Sequence, residues 1–322
     1  MPDPAAHDAE ARDAEAREAA EAESVLSRPA VRPDATAAYG EHPDQVIDFY
    51  APRGGREPER GRDADREPER VPLVVVLHGG AWRAPYDRLH VTPFAEFLAR
   101  RGFAVANVEY RRGSGSGTGN GSGTGSVSGE SDGASVAGRW PETFDDVAAA
   151  LDALPGLAAA ALPQADVRRT VLTGHSAGGH LALWAAARHV LPEGSPWRLP
   201  EPPPLRGVVA LAPIADLVRA VELSVCGGAV LQLMDGEAEF KQRRESADPA
   251  ALLPTGIATT VVQGRTDRTV PYEVAEAYVE AAGLAGELVG LTLLEDVGHF
   301  PLVDPSADAC AVVAEEIAQL AW

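Results

Sequence analysis

The chain has 322 residues, of which 45% are hydrophobic, and this is enough to bury the core of one large domain. Its 48 acidic residues outnumber its 28 basic residues and give a formal net charge of −20 at pH 7. Nucleic acid and anionic membrane surfaces are therefore not expected partners, because both attract clustered Lys and Arg. The two cysteines, Cys226 and Cys310, have neither the number for a disulfide framework nor the CxxC spacing of a metal or redox site.

Residues 1–38 are predicted to be an acidic, disordered tail. From residue 1 to residue 27 the sequence alternates Ala with Asp, Glu and Arg, and it offers no apolar stripe to bury. This segment also has no apolar core of the kind found in a secretory signal, and no stretch of the chain reaches the roughly 18 apolar residues of a membrane span. We therefore expect a cytoplasmic protein that does not associate with membranes.

Strand patterns alternate with helix patterns over residues 39–322, which we interpret as one domain. A continuous apolar run rich in valine, as at 72–77, is typical of a strand that is covered on both faces. The predicted strands are 45–50, 72–77, 103–108, 170–173, 207–211, 259–263 and 291–294, and the predicted helices are 92–101, one that begins at Pro141, 177–188, 272–282 and 307–320. This alternation predicts an α/β fold with a mainly parallel, doubly wound sheet.

Three segments interrupt the alternation. Residues 53–70 are polar and repeat the sequence REPER, and residues 113–138 are rich in Gly and Ser. Both are predicted to be mobile loops. Residues 214–254 combine a helical start, a Cys-Gly-Gly break and a charged stretch. We interpret them as a small cap insertion over the carboxyl edge of the sheet, where open α/β sheets bind ligands.

A serine lies at the junction between the strand at 170–173 and the helix that follows it. The junction reads Gly174-His175-Ser176-Ala177-Gly178. It matches the G-x-S-x-G pattern, in which a sharp turn from strand to helix strains the serine, lifts its hydroxyl clear of the backbone and requires small neighbours. An ordinary glycine-rich turn has the same pattern, but the strand before it and the helix after it favour a nucleophile at Ser176.

A serine hydroxyl needs a base to remove its proton, and in this kind of sheet the partners follow in the order serine, acid, histidine. His299 is the last histidine of the chain and comes just after the last predicted strand, so it is the candidate base. Asp267 comes just after the strand before that one and is the candidate acid. Asp216 is the main alternative for the acid, and Asp296 is a weaker one.

A glycine-rich segment directly after the strand at 72–77 is a candidate for stabilising negative charge. It reads His78-Gly79-Gly80-Ala81-Trp82. An oxyanion needs two backbone donors, one from the residue after the nucleophile and one from a glycine-rich loop. The candidate oxyanion-hole residues are Gly79, Gly80, Ala81 and Ala177.

With these motifs the chain resembles the α/β-hydrolase superfamily, esterase/lipase type with a His-Gly-Gly oxyanion loop. Within it, the chain is most similar to kynurenine formamidases (arylformamidases) and the small carboxylesterases grouped with them. The segments that carry the resemblance are Tyr39-Gly40, Asp48-Phe49-Tyr50, 78–82, 141–146, 174–181, Asp267 and Gly298-His299-Phe300. The resemblance implies an α/β-hydrolase fold, a triad of Ser176, Asp267 and His299, no cofactor or metal, and a possible homodimer.

The expected activity is acyl transfer from a small-molecule substrate, either a carboxylic ester or an aryl formamide. A formamidase would have to recognise an aromatic amine, for which Trp82, Trp140 and Phe300 are the candidates for stacking, and Trp82 and Phe300 are the candidate substrate-binding residues. A non-catalytic ligand-binding module on the same fold is the alternative. A lipase acting at membranes is disfavoured, because the moderately apolar stretch at 217–234 breaks at Cys226-Gly227-Gly228. No HExxH or paired-carboxylate pattern indicates a metal site.

Overall fold

The computed structural model describes residues 4–53, 70–113 and 138–322. The strands in these ranges are β1 (Ala35–Ala38), β2 (Val46–Tyr50), β3 (Val71–Leu77), β4 (Ala104–Val108), β5 (Ala165–His175), β6 (Leu205–Leu211), β7 (Thr259–Gly264) and β8 (Val289–Leu294). They form one sheet in the order β1-β2-β4-β3-β5-β6-β7-β8. β1 and β2 are antiparallel to their neighbours, and the other strands run parallel to one another. The mainly parallel sheet predicted from the sequence is confirmed.

Helices cover both faces of this sheet, as a doubly wound fold requires. The helices are α1 (Pro4–Leu26), α2 (Thr92–Arg100), α3 (Glu142–Ala161), α4 (Ala177–Ala186), α5 (Leu217–Glu222), α6 (Val225–Leu233), α7 (Glu237–Ala247), α8 (Tyr272–Leu284) and α9 (Asp308–Ala321). α3 and α4 contribute to the core on one face, and α2 and α9 contribute to the core on the other.

Strand β3 shows why its sequence is a continuous apolar run. Leu73, Val75 and Leu77 belong to the core beneath α3 and α4, whereas Val74 and Val76 belong to the core beneath α2 and α9. Successive side chains of a strand point to opposite faces, so a strand between two cores needs apolar residues at every position. Burying each such side chain contributes about 1.5–3 kcal/mol to the free energy of folding.

The N-terminal segment differs from the expectation of a disordered tail over residues 1–38. Pro4–Leu26 forms α1, and Ala35–Ala38 forms the edge strand β1, which pairs with β2. Val25 is buried in the core on the face that α2 and α9 cover. The sequence pattern did not indicate this, because α1 docks with one buried valine and polar side chains rather than with an apolar stripe.

The segment 214–254, interpreted from the sequence as a cap insertion, contains α5, α6 and α7. The carbonyl oxygen of Cys226 accepts a hydrogen bond from Nη2 of Arg83 at 2.8 Å, and Sγ of Cys226 lies 3.8 Å from the carbonyl oxygen of Thr269. The start of α6 therefore lies between the loops that follow β3 and β7. Apart from their end residues, the predicted mobile loops at 53–70 and 113–138 lie outside the described residues. No helix in the described ranges has the length and apolarity to cross a membrane.

Candidate active site

Ser176 lies between the end of β5 and the start of α4, with a φ of 58° and a ψ of −118°. Holding a residue with a side chain in such sparsely populated dihedrals costs about 1–3 kcal/mol, so the surrounding structure must impose them. The Ser176 amide donates to the Leu211 carbonyl oxygen at 2.8 Å, and the Ser176 carbonyl oxygen accepts from the Ile214 amide at 3.3 Å. These bonds to the end of β6 hold the turn in place.

The turn is possible because Gly174 and Gly178 have no side chain. A Cβ at Gly178 would overlap the carbonyl oxygens of Leu77 and His78, and a Cβ at Gly174 would overlap the carbonyl group of Gly178. The start of α4 is therefore pressed against the end of β3. This close approach brings Ser176 beside the glycine-rich loop that follows β3.

The structure brings together the predicted acid and base from two separate loops. Nδ1 of His299 lies 2.7 Å from Oδ2 of Asp267, and the two residues are 2% and 5% exposed. A carboxylate accepts hydrogen bonds, so Nδ1 carries the proton and Nε2 is left as the basic nitrogen. The Val270 amide donates to Oδ1 of Asp267 at 2.8 Å, and Nε2 of Gln263 donates to Oδ2 at 3.1 Å. These donors fix the carboxylate behind the imidazole.

Ser176 is only 2% exposed, and its chain neighbour contacts the base directly. The ring of His175 lies 4.3 Å from the ring of His299, centre to centre, and Nε2 of His175 donates to the His299 carbonyl oxygen at 2.9 Å. In the described ranges the Ser176 hydroxyl makes no hydrogen bond to His299. Such contacts are often loose in unliganded hydrolases and tighten in the substrate complex.

Two further histidines near Ser176 are neutral and structural. Burial lowers the pKa of His175 well below its ordinary value, and the charge on His299 acts in the same direction. Burial also lowers the pKa of His180 to about 4, and its Nε2 donates to the Ala247 carbonyl oxygen at 2.9 Å. Each ring therefore serves as a hydrogen-bond donor to the backbone, and His299 is left as the candidate base.

The glycine-rich loop after β3 has three consecutive residues with a left-handed backbone. They are Gly80 (φ 107°), Ala81 (φ 50°) and Trp82 (φ 57°). Successive backbone amides in such conformations form concavities that bind anions. A Cβ at Gly79 would lie 3.3 Å from Cβ of Ser176, so this loop and the Ala177 amide at the start of α4 flank the serine.

A buried ion pair that the sequence did not indicate supports this loop. Nε2 of His78 lies 2.9 Å from Oε1 of Glu109, and the ring of His78 stacks on Tyr110 with 4.3 Å between ring centres. The Tyr110 hydroxyl donates to the His78 carbonyl oxygen at 2.6 Å. Burial opposes the ionisation of Glu109, but the charges of His78 and Arg112 outweigh it and lower the pKa of Glu109 to about 2. The only sequence signal was the position of Glu109 and Tyr110 directly after a strand.

The two residues predicted to bind substrate differ in how far they are buried. Trp82 is 0% exposed, and its ring packs against the ring of His180 with 5.2 Å between centres. The prediction that Trp82 provides stacking surface for a substrate is therefore corrected, because its left-handed backbone turns the ring into the core. Phe300 is partly exposed and packs at 5.2 Å against the ring of His299.

Other reactive groups do not form a second site in the described part of the chain. No group of three His, Cys, Asp or Glu residues among these residues could hold a metal ion. Burial raises the pKa of the Cys226 thiol to about 11 and that of the Cys310 thiol to about 12. Both thiols are therefore protonated at neutral pH and are poor nucleophiles.

A mainly parallel sheet with a strained serine between a central strand and a helix is the arrangement found in α/β hydrolases. Residues 74–314 match the model of the alpha/beta hydrolase family, so the chain belongs to this family. No curated protein matches the chain.

Several solved structures of esterases have a similar fold. Esterase B from Lactobacillus rhamnosis is 18% identical, with 99% of this chain and 96% of that chain covered and a TM-score of 0.65. A thermophilic esterase from Thermogutta terrifontis, with propionate bound, is 20% identical, with 88% and 92% covered and a TM-score of 0.60. A truncated carbohydrate esterase from gut microbiota is 14% identical, with 91% and 99% covered and a TM-score of 0.64. At these identities the likeness shows the fold alone.

Proposed function

We propose that this protein is a serine hydrolase that cleaves a small carboxylic ester through an acyl-enzyme. The observation that carries the proposal is the buried Asp267–His299 pair, with 2.7 Å between Nδ1 and Oδ2, at the same edge of the sheet as the strained Ser176. A non-catalytic binding module has no need to hold a serine in a costly conformation or to bury an oriented acid and base beside it.

The roles follow from the geometry. Ser176 attacks the substrate carbonyl while Nε2 of His299 takes its proton, and the imidazolium then gives this proton to the leaving group. Asp267 holds the proton on Nδ1, which keeps Nε2 basic, and stabilises the imidazolium. Water then attacks the acyl-enzyme with the same histidine as base.

Backbone amides stabilise the negative charge of the tetrahedral intermediate. The glycine-rich loop at 79–81 and the Ala177 amide flank Ser176, so Gly79, Gly80, Ala81 and Ala177 are the residues of the proposed oxyanion hole. One donor of this kind lowers the barrier by about 3 kcal/mol. The cost of holding Ala81 with a positive φ is consistent with such a role.

An ester is a better substrate proposal than an aryl formamide. A formamidase of aromatic amines needs apolar surface for the ring. Of the three residues predicted to stack, Trp82 is fully buried, and the partly exposed Trp140 and Phe300 pack against other rings of the protein. Two of the similar structures are esterases, one of them with bound propionate, which supports a short acyl group. A homodimer and a cytoplasmic location remain predictions.

The test is hydrolysis of p-nitrophenyl acetate and butyrate by wild type and Ser176→Ala. Loss of the nucleophile in such a site lowers kcat by about a millionfold. Ser195→Ala is the matched control, since its hydroxyl has no hydrogen-bond partner among the described residues. Activity of Ser176→Ala within about tenfold of wild type would overturn the serine mechanism, because the reaction would then not depend on the Ser176 hydroxyl.

The same preparation distinguishes the two substrates. We expect a higher kcat/KM on the p-nitrophenyl esters than on N-formylkynurenine. A much higher value on N-formylkynurenine, lost in Ser176→Ala, would keep the serine mechanism and replace the ester by the formamide.

A further inference from the structure

Helix α1 docks on the body of the protein through an acidic face. In the part of the helix whose side chains are described, Val25 is buried and Glu15 and Glu23 are exposed; the partly buried residues are Ala14, Glu18, Glu21, Ala22, Ser24 and Leu26. Ala14, Glu18, Glu21 and Val25 are separated by four, three and four residues, which places them on one side of the helix. Two carboxylates thus occupy positions where a docked helix usually carries apolar residues.

The first carboxylate contacts the loop that carries Asp267. The Thr269 hydroxyl donates a hydrogen bond to Oε1 of Glu18. Thr269 precedes Val270, whose amide donates to Oδ1 of Asp267 at 2.8 Å. Glu18 therefore holds the short segment of backbone that orients the acid.

The second carboxylate contacts the loop that carries His299. A Cβ at Gly298 would lie 2.7 Å from the carboxylate carbon of Glu21, so this carboxylate rests directly on the residue before His299. Oε2 of Glu21 is buried and has no hydrogen-bond partner among the described residues. Glycine is the only residue that allows this approach without displacing Glu21.

The end of the helix is anchored beyond the same loop. The Ser24 hydroxyl donates to Oδ2 of Asp304 at 2.5 Å, and Nη2 of Arg28 forms an ion pair with Oδ1 of Asp304 at 2.6 Å. Val25, which lies between Ser24 and Arg28 in the sequence, is buried. Asp304 follows the short helical turn Phe300–Val303, which begins directly after His299. This anchor sets the position of Glu21 along the helix axis.

We infer that α1 contributes to the active site through two positioning residues. Glu18 holds the loop that carries Asp267, and Glu21 holds the loop that carries His299, so that the two loops keep their relative position. The inference rests on the proposed function, because it assigns these carboxylates to the proposed Asp267–His299 pair. It explains why a helix with so few large apolar side chains docks at this edge of the sheet.

The charge of Glu21 also favours the reacting state over the resting state. Burial raises the pKa of Glu21, and the neighbouring carboxylates of Asp267 and Glu18 add to this rise. The Gly298 amide and the charge on His299 act in the opposite direction. The carboxylate is therefore poorly compensated while the imidazole is neutral and better compensated when the imidazolium forms. An interaction that is stronger in the transition state raises kcat.

The test compares Glu21→Gln with Glu15→Gln and Glu23→Gln, which make the same charge change on exposed positions of the same helix. Two rates are measured for each full-length variant from about pH 5 to about pH 9: labelling by a fluorophosphonate probe and kcat on p-nitrophenyl butyrate. For Glu21→Gln we expect both rates to fall by about tenfold, KM to stay within about twofold and the acid limb of the profile to move to lower pH. The controls should match wild type.

A double-mutant cycle tests the other contact. Glu18→Gln and Thr269→Val each remove one partner of the same hydrogen bond, so each should slow labelling, and the double variant should be no slower than the worse single variant. Additive losses would show that Glu18 does not act through Thr269, and would overturn this half of the inference.

The outcomes separate the inference from the function on which it rests. Glu21→Gln rates equal to those of the controls, or lower rates with an unmoved acid limb and a lower Tm, would overturn a positioning role for Glu21. If either result appears while Ser176→Ala is inactive, only the inference fails. If Ser176→Ala is active, the proposed function fails whatever the glutamate variants do.

Discussion

Asp267→Asn is the most informative single change, because it alters hydrogen bonding and keeps the shape of the side chain. Both carboxylate oxygens accept hydrogen bonds, Oδ1 from the Val270 amide at 2.8 Å and Oδ2 from Nδ1 of His299 at 2.7 Å. Asparagine replaces one acceptor by an NH₂ group, which only donates. If NH₂ faces Val270, two donors meet; if it faces His299, Nδ1 must accept and the imidazole proton moves to Nε2.

The expected effect on rate is far larger than the effect on stability. With the proton on Nε2, His299 cannot take the proton of Ser176, and a triad histidine in the wrong tautomer lowers kcat by about 10⁴-fold, or about 5.5 kcal/mol of barrier. The opposite orientation leaves a buried donor unpaired, which costs about 1–3 kcal/mol of stability. Nε2 of Gln263 also donates to Oδ2 of Asp267. If the NH₂ group of the asparagine faces His299, this donor from Gln263 therefore loses its acceptor as well.

The assay is kcat on p-nitrophenyl butyrate, with the urea unfolding midpoint measured in parallel. Asp216→Asn and Asp296→Asn are the matched controls, because both positions were alternatives for the acid. Asp216 caps α5 by accepting from the Arg219 amide at 2.8 Å, and Asn caps a helix equally well. Asp296 has a φ of 56°, which Asn adopts readily. Both controls should stay within about tenfold of wild type. An Asp267→Asn enzyme within about tenfold of wild type, or a 10⁴-fold loss in Asp216→Asn, would refute the reasoning.

Three further changes test the parts of the structure around the serine. Gly178→Ala should destabilise the protein by about 1–3 kcal/mol in urea unfolding and slow fluorophosphonate labelling, because its Cβ overlaps the carbonyl oxygen of Leu77. Wild-type stability of this variant would contradict the close contact between Gly178 and Leu77. The pKa of Glu109 is lowered from its ordinary 4.5 to about 2, so the stability that Glu109 contributes is present above pH 4.5 and is lost as the pH drops toward 2. Glu109→Gln should therefore be less stable than wild type at pH 7, and its urea midpoint should depend less on pH between 4.5 and 2. An unchanged urea midpoint would show that the pair of Glu109 with His78 is not stabilising. Trp82→Phe should leave KM on p-nitrophenyl butyrate unchanged, since Trp82 is 0% exposed; a several-fold rise in KM would return Trp82 to the substrate site.

The sheet and the strained turn could be predicted because local sequence determines them. Continuous apolar runs such as β3 are required only in strands with a core on each face, and Gly174 and Gly178 are required by backbone contacts a few ångströms away. The order of the loops at the carboxyl edge then predicted that Asp267 and His299 would meet. The family match supports the same fold.

What could not be predicted depends on contacts between distant segments. Docking of α1 uses Glu18, Glu21 and Asp304, and polar side chains give no periodic signal in sequence. The pairing of His78 with Glu109 depends on the parallel alignment of β3 and β4, which places the ends of both strands together. Trp82 was misplaced because the direction of its side chain depends on a left-handed backbone that composition does not reveal.

The central claim is that Ser176 becomes covalently acylated during turnover. The most direct measurement is mass spectrometry of the full-length protein after reaction with a fluorophosphonate, followed by peptide mapping of the adduct. One adduct per chain on the peptide that contains Ser176, absent from Ser176→Ala, is the expected result. An adduct on any other residue, or no adduct on a folded protein that still hydrolyses p-nitrophenyl esters, would contradict the account.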